Sequence, residues 1–146
     1  MEFSREKLPA TLHDSLKAYV YDIIGCMHEV YRDLGDGLPE YVYQEALVIE
    51  LKAKGFNPIR EYHHHPVYKG MELKALLKMD IMVPMQRGNV IIECKAIREL
   101  SNIERSQTFG YLRGTEFPIA ILVNFGAHDR AEIERYYFKN GVVRAF

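Results

Sequence analysis

Asp80 is followed, after twelve intervening residues, by Glu93-Cys94-Lys95, which closes the apolar run Val90-Ile91-Ile92. Two carboxylates and a lysine brought together on neighbouring strands suit one of two chemistries. In the first, Asp80 and Glu93 hold a hard divalent cation such as Mg²⁺, which takes oxygen ligands and keeps several waters. Lys95 then orients or activates a water, or neutralises charge developing on a phosphoryl oxygen. In the second, the carboxylates form ion pairs with Lys95 and Lys78 on a half-exposed sheet, which stabilises little. A lone charge near a core is costly, so either pairing or a metal is required.

The elements that position these residues follow from the pattern around them. Met79 to Met85 and Val90 to Ala96 flank Gln86-Arg87-Gly88-Asn89, whose Arg87-Gly88 centre suits a tight hairpin turn. That turn predicts a register in which Asp80 faces Lys95 and Met82 faces Glu93, with Asp80, Glu93 and Lys95 on one face of the sheet. Ile81, Val83, Val90, Ile92 and Cys94 form the other face, apolar enough to be buried, so these strands are central.

Upstream, Leu16, Val20, Ile23, Met27, Val30 and Leu34 recur at helical spacing, predicting a long amphipathic helix from Asp14 to Leu34 with Asp14 or Ser15 as its cap and Gly35 as its stop. A second helix starts at Pro39 and ends at Gly55. On it Glu40, Tyr43 and Gln44 lie three and four residues apart, while Glu45 is about 100° further round. As a first-turn acid, Glu40 also complements the helix dipole.

Phe56 to Tyr68 and Leu73 to Met85 read as strands joined by a turn at Lys69-Gly70-Met71-Glu72. The run His63-His64-His65 invites a metal, but consecutive strand residues point to opposite faces, so these are expected at a surface or edge. Ser101-Asn102-Ile103-Glu104 is a capping box opening a helix that runs to Arg113 and stops at Gly114, with Gln107 and Tyr111 on one face. Pro118 to Phe125 is a buried strand, and Glu132 to Phe138 reads as an edge strand.

Together these motifs resemble the PD-(D/E)xK nuclease superfamily, and within it a small bacterial branch marked by G-x-x-E-x-x-Y, here Gly37-Leu38-Pro39-Glu40-Tyr41-Val42-Tyr43. The resemblance continues through Gln44-Glu45-Ala46-Leu47, Pro66-Val67-Tyr68-Lys69-Gly70, Asp80, Glu93-Cys94-Lys95-Ala96, Gln107 with Tyr111-Leu112, and Asn124-Phe125-Gly126. It departs from the pattern at Lys78, where an arginine is expected, and at Cys94, where an aliphatic residue is expected. The resemblance implies that Asp80, Glu93 and the backbone carbonyl of Cys94 hold Mg²⁺ or Mn²⁺. It also implies that Lys95 is catalytic and that Gln107, with Tyr111, positions the lysine, water or scissile phosphate. In the nucleases it resembles, a glutamate of the first core helix adds a metal contact; here Glu40 and Glu45 compete for that role, Glu40 being favoured by the motif's spacing.

The chain has 146 residues, 48 % hydrophobic and 27 % charged, which suits one nuclease-like domain spanning 1–146. The start, Met1 to Lys7, has no apolar leader and no later run is long enough to span a membrane, so a cytoplasmic location is expected. Cys26 and Cys94 lack zinc-site spacing and read as buried hydrophobes of a reducing compartment. A net charge of −1 argues against a strong nonspecific grip on nucleic acid, although Lys52, Lys54, Arg60, Lys69, Lys74 and Lys78 concentrate in one segment. Such a run is ordinarily a solvated face.

The resulting expectation is an α/β fold, the restriction-endonuclease-like three-layer sandwich with a mixed sheet between helices. Its activity is metal-dependent phosphodiester hydrolysis by in-line attack of water, on DNA in preference to RNA. A homodimer or protein partner is compatible with it. The alternatives are a non-catalytic nucleic-acid or protein binding module retaining the nuclease fold, and a purely structural ion-pair network.

Overall fold

The computed structural model describes residues 14–146, so the reading of residues 1–7 lies outside the described residues. Helix α1 (Asp14–Leu34) is described from Asp14, its first described residue, and ends before Gly35 as its periodicity predicts. Helix α2 (Glu40–Ala53) begins after Pro39, whose extended backbone (φ −63°, ψ 151°) places it at the cap position instead of inside the first turn. Six strands, β1 (Ile59–His64), β4 (Leu77–Val83), β5 (Val90–Lys95), β6 (Ile119–Asn124), β7 (Glu132–Lys139) and β8 (Val142–Ala145), form one sheet. They lie in the order β1-β4-β5-β6-β7-β8. Only β5 and β6 are parallel, joined by the crossover helix α3 (Asn102–Thr115). Two short strands, β2 (Val67–Tyr68) and β3 (Met71–Glu72), pair only with each other.

The sheet is the middle of three layers. Leu16, Ile23, Met27, Tyr43, Leu47 and Leu51 of α1 and α2 pack against Ile81, Val83, Val90, Ile92, Cys94 and Ile121 on one face. Phe109 and Leu112 of α3 pack with Met79, Ile91, Ala120 and Leu122 on the other. Burying both faces explains why β6 is apolar almost throughout and fully buried. The expected capping box is present: Ile103 N–H donates to Ser101 Oγ at 3.3 Å and Ser101 N–H donates to Glu104 Oε2 at 2.8 Å.

Several boundaries depart from the sequence reading. The strand expected over 56–68 is split into β1 and β2, and the one expected over 73–85 is shortened to β4, while β3 falls within the expected turn, because Lys69 (φ 51°) and Gly70 (φ 78°) close a two-residue turn that folds β2 and β3 into a separate ribbon. Gly114 lies inside α3 and does not end it; a Cβ there would come 2.4 Å from Leu77 Cδ1, and the left-handed residue closing the helix is Glu116. β7 is not an edge strand, since β8 pairs with it. The signal for that hairpin is Asn140-Gly141, both with positive φ, a dipeptide suited to a two-residue turn.

At Gly126, just past β6, an added Cβ would lie 2.3 Å from the Ile97 carbonyl oxygen and 2.4 Å from the Ile97 nitrogen. Backbone cannot move aside as a side-chain end can, so Gly126→Ala is expected to destabilise the protein by about 1–3 kcal/mol or more, the range for overpacking. Denaturant unfolding checks this; an alanine variant as stable as the parent refutes the close approach.

Candidate active site

The site forms where β4 and β5 part. Their paired residues are Ile81 with Ile92, Met82 with Ile91 and Val83 with Val90. Continued outward, this register sets Asp80 opposite Glu93, so the expected pairing of Asp80 with Lys95 is corrected by two residues. The cause is the turn. Gly88 N–H donates to the Met85 carbonyl at 3.2 Å, which centres the turn on Gln86-Arg87. Gly88 is reserved for a close approach to Pro118, whose Cγ would lie 2.4 Å from an added Cβ. A shift of two residues preserves which face each side chain of β5 takes, so Glu93 and Lys95 stay together, and Asp80 is joined to them by bonds between the strands.

Beyond Ile81 and Ile92 the carboxylates replace the ladder. Cys94 N–H donates to Asp80 Oδ2 at 2.8 Å, and Asp80 N–H donates to Glu93 Oε1 at 3.0 Å. Asp80 also marks where β4 changes faces: Ile81 and Val83 join the α1/α2 core, whereas Met79 packs against α3. On the adjoining strand the pairs Arg60–Ile81 and Tyr62–Met79 leave Glu61 unpaired in between, with a left-handed φ of 55°.

The electrostatics are those of crowded acids. Glu93 is only 2 % exposed. Burial, and then the neighbouring Asp80 charge, push its carboxyl up to about 8. Asp80 is raised chiefly by burial, opposed by the Cys94 N–H, by Lys95 and by a hydrogen bond with the Glu93 carboxyl. Glu40, at the start of α2, is raised by burial and by Asp80, with Lys95 acting in the opposite direction. Both carboxyls are therefore held above the ordinary carboxylate range, chiefly by burial.

Lys95 is half-buried, and its Nζ donates to Gln107 Oε1 at 2.9 Å. Tyr111, hydrogen-bonded to Gln107, feels the charges of Glu93 and Asp80. Gln44 Nε2 donates to Glu40 Oε1 at 3.3 Å, and Arg60 Nη2 reaches Gln44 Oε1 at 3.4 Å and the Tyr41 carbonyl at 3.3 Å. Glu45 is exposed on another side of α2, so of the two competing glutamates it is Glu40 that shares the field of Asp80, Glu93 and Lys95. The three histidines do not converge: His65 Nδ1 meets the Leu73 and Ala75 carbonyls at 2.9 and 3.1 Å, while His64 packs against Tyr62 and Phe117.

The other motif residues serve as the frame. Tyr43 Oη donates to the Gly35 carbonyl at 2.6 Å and accepts from Leu38 N–H at 3.1 Å, fixing the α1–α2 turn that delivers Glu40. Its ring stacks on Phe125 at 4.8 Å. Asn124, fully buried, accepts from Ile97 and Gly126 N–H, both at 3.0 Å, and donates to Glu132 at 2.8 Å, which anchors the chain leaving Lys95. Asn124-Phe125-Gly126 is thus a clamp on the end of β5.

The oxygen set fits a hard cation. Asp80 and Glu93 each give one oxygen to a backbone N–H, leaving the other for a cation that displaces the hydrogen bond between the two carboxyls. In an extended strand the N–H and C=O of one residue point to the same side, so the Cys94 carbonyl faces the gap that the β4–β5 ladder does not cover. The Cys94 thiol is on the opposite, core-facing side. Among the described residues no three His, Cys, Asp or Glu side chains form a ready-made cage; Mg²⁺ characteristically uses one or two carboxylates and keeps its waters.

A family model for the PD-(D/E)XK nuclease superfamily matches residues 17–136. The chain belongs to this superfamily. Its sandwich is the restriction-endonuclease-like fold of these nucleases. Among solved structures, the crystal structure of SSO0001 is similar at 20 % identity with a TM-score of 0.51, over 66 % of this chain and 48 % of that one. The present nuclease-family chain thus spans about half the length of that protein. Hjc from Archaeoglobus fulgidus, a Holliday junction resolvase from an archaeal hyperthermophile, is similar at 20 % identity with a TM-score of 0.39, over 70 % of this chain and 85 % of that one. No curated protein matches the sequence.

Proposed function

We propose that this chain is a Mg²⁺- or Mn²⁺-dependent nuclease that hydrolyses phosphodiester bonds, of DNA in preference to RNA. The observation that carries this is the fork at Asp80 and Glu93, where two carboxylates with spare oxygens face a lysine held by Gln107. Asp80, Glu93 and the Cys94 carbonyl would hold the ion, with Glu40 beside them. When bound, the ion supplies a Lewis acid that activates water and neutralises phosphoryl charge. Lys95 holds its proton at Nζ and presents it to a phosphoryl oxygen or the attacking water, and Gln107 keeps that ammonium from collapsing onto the carboxylates. Tyr111 closes the α3 side.

The G-x-x-E-x-x-Y branch is also supported, since Glu40 reaches the site and Tyr43 braces the turn before it. One nuclease-like domain accounts for the sheet and both of its cores. Among the described residues no helix is long and apolar enough to cross a membrane, and two free buried cysteines suit a cytoplasmic, reducing setting.

Incubating the protein with single-stranded, duplex and branched DNA, and with RNA, in Mg²⁺, Mn²⁺ or EDTA tests the reading. Cleavage that requires the metal and disappears in Asp80→Asn is expected. DNA that is bound but never cut would instead identify a binding module.

A further inference from the structure

Two cations flank the carboxylates, and a glutamine holds each of them back. On the α3 side Lys95 is bonded to Gln107. On the α2 side Arg60 is bonded to Gln44, which in turn holds Glu40. Arg60 projects from β1 at the residue paired with Ile81, next to Asp80 in sequence, and its charge acts on Asp80. Yet among the described residues Arg60 forms no ion pair. Its contacts are two neutral oxygens, Tyr41 carbonyl at 3.3 Å and Gln44 Oε1 at 3.4 Å, both through Nη2. A guanidinium carries five N–H donors in a planar fork, so most of its donors remain available in an exposed position near Asp80.

Such an arrangement is unusual for a structural arginine. One placed to neutralise Asp80 or Glu40 would close onto a carboxylate in a bidentate pair, the strongest geometry open to it. Gln44, itself buried, occupies that place and fixes the guanidinium at the rim. Because Arg60 is exposed, its remaining donors are open to the oxygens of a phosphodiester.

We propose that Arg60, positioned by Gln44, is a second phosphate-binding point on the flank opposite Lys95, gripping a backbone phosphate next to the scissile one. The inference rests on the nuclease reading above and adds the path of the substrate. The strand runs from Gln107 and Lys95, across the Asp80–Glu93 fork, to Arg60 and the start of α2. The contact is to the backbone, so it favours no base sequence.

Steady-state cleavage of a DNA substrate in Mn²⁺ by wild type, Arg60→Ala, Arg60→Lys and Lys95→Ala tests it, with DNA binding measured in Ca²⁺ over a range of salt. Arg60→Ala is expected to raise KM roughly tenfold, the effect of losing one charge-assisted hydrogen-bonded contact, while kcat changes much less. The slope of log Kd against log salt should fall by about one. Arg60→Lys should restore the slope and only part of the affinity. An unchanged KM and slope in Arg60→Ala, with Lys95→Ala impaired as expected, overturns this inference alone. Tighter Mn²⁺ binding by Arg60→Ala in calorimetry, with DNA binding intact, overturns it too and makes Arg60 a counter-ion of the acids, whose repulsion of the metal the variant has lost. A wild type that neither binds nor cuts DNA removes the nuclease reading and this inference with it.

Discussion

Lys95→Ala is expected to lower turnover by on the order of 10²–10⁴, the range for losing a positioned acid-base or electrostatic group, while metal and DNA binding stay nearly intact. The expectation follows from where the ammonium sits. It is bonded to Gln107 rather than to either carboxylate, so removing it takes away no metal ligand. Asp80→Asn should lose metal and turnover together, because it reduces the charge of a ligand while still able to accept the Cys94 N–H. Single-turnover kinetics beside Mn²⁺ calorimetry separate the two. A Lys95→Ala protein that cleaves as fast as wild type, where Asp80→Asn is inactive, would take the lysine out of the chemistry.

The second large effect concerns Glu93. Its carboxyl is raised from an ordinary 4.5 to about 8 in the folded chain. Between those values the unfolded chain has lost the proton and the folded chain keeps it. Metal-free stability therefore falls as pH rises through that window and levels off above it. Glu93→Gln has nothing to titrate, and its amide oxygen can still accept the Asp80 N–H. It should melt higher than wild type at pH 8, by on the order of 2 kcal/mol or roughly 5–10 °C, with the gap closing towards pH 5. Adding Mn²⁺ at pH 8 should raise the wild-type melting temperature and leave the variant where it was, with proton release on binding. Parallel pH curves for the two proteins, or equal Mn²⁺ heats, would show that Glu93 neither holds the proton nor the metal.

The layers of the fold were legible because periodicity carries them: α1 and the buried strand β6 need only the spacing of apolar residues. The grouping of Glu93 with Lys95 was legible for a similar reason, since alternation along β5 is insensitive to a two-residue slip, whereas Asp80 joins them through its bond to the Cys94 N–H at the point where β4 changes faces. What sequence could not convey was the cause of that slip. Gly88, which closes the turn, lies against Pro118, thirty residues away, and such a contact has no local signature. Arg60 was hidden in the same way: among six basic residues of one segment, only the β1–β4 register shows which one lies beside Asp80. β8 was different, as Asn140-Gly141 carried its signal locally.

The acids at the fork are bonded to the backbone of the opposite strand, and this makes them part of the seam of the sheet as well as the reactive centre. Alanine at Asp80 would leave the Cys94 N–H without an acceptor and unpick the two strands, so loss of activity in such a variant would say little about chemistry. The same bonds give the protein an internal gauge. Whatever draws Asp80 or Glu93 towards a cation loosens its hold on one particular amide proton, Cys94 in the first case and Asp80 in the second. The exchange rates of those two protons would therefore register occupancy of the site with no nucleic acid present.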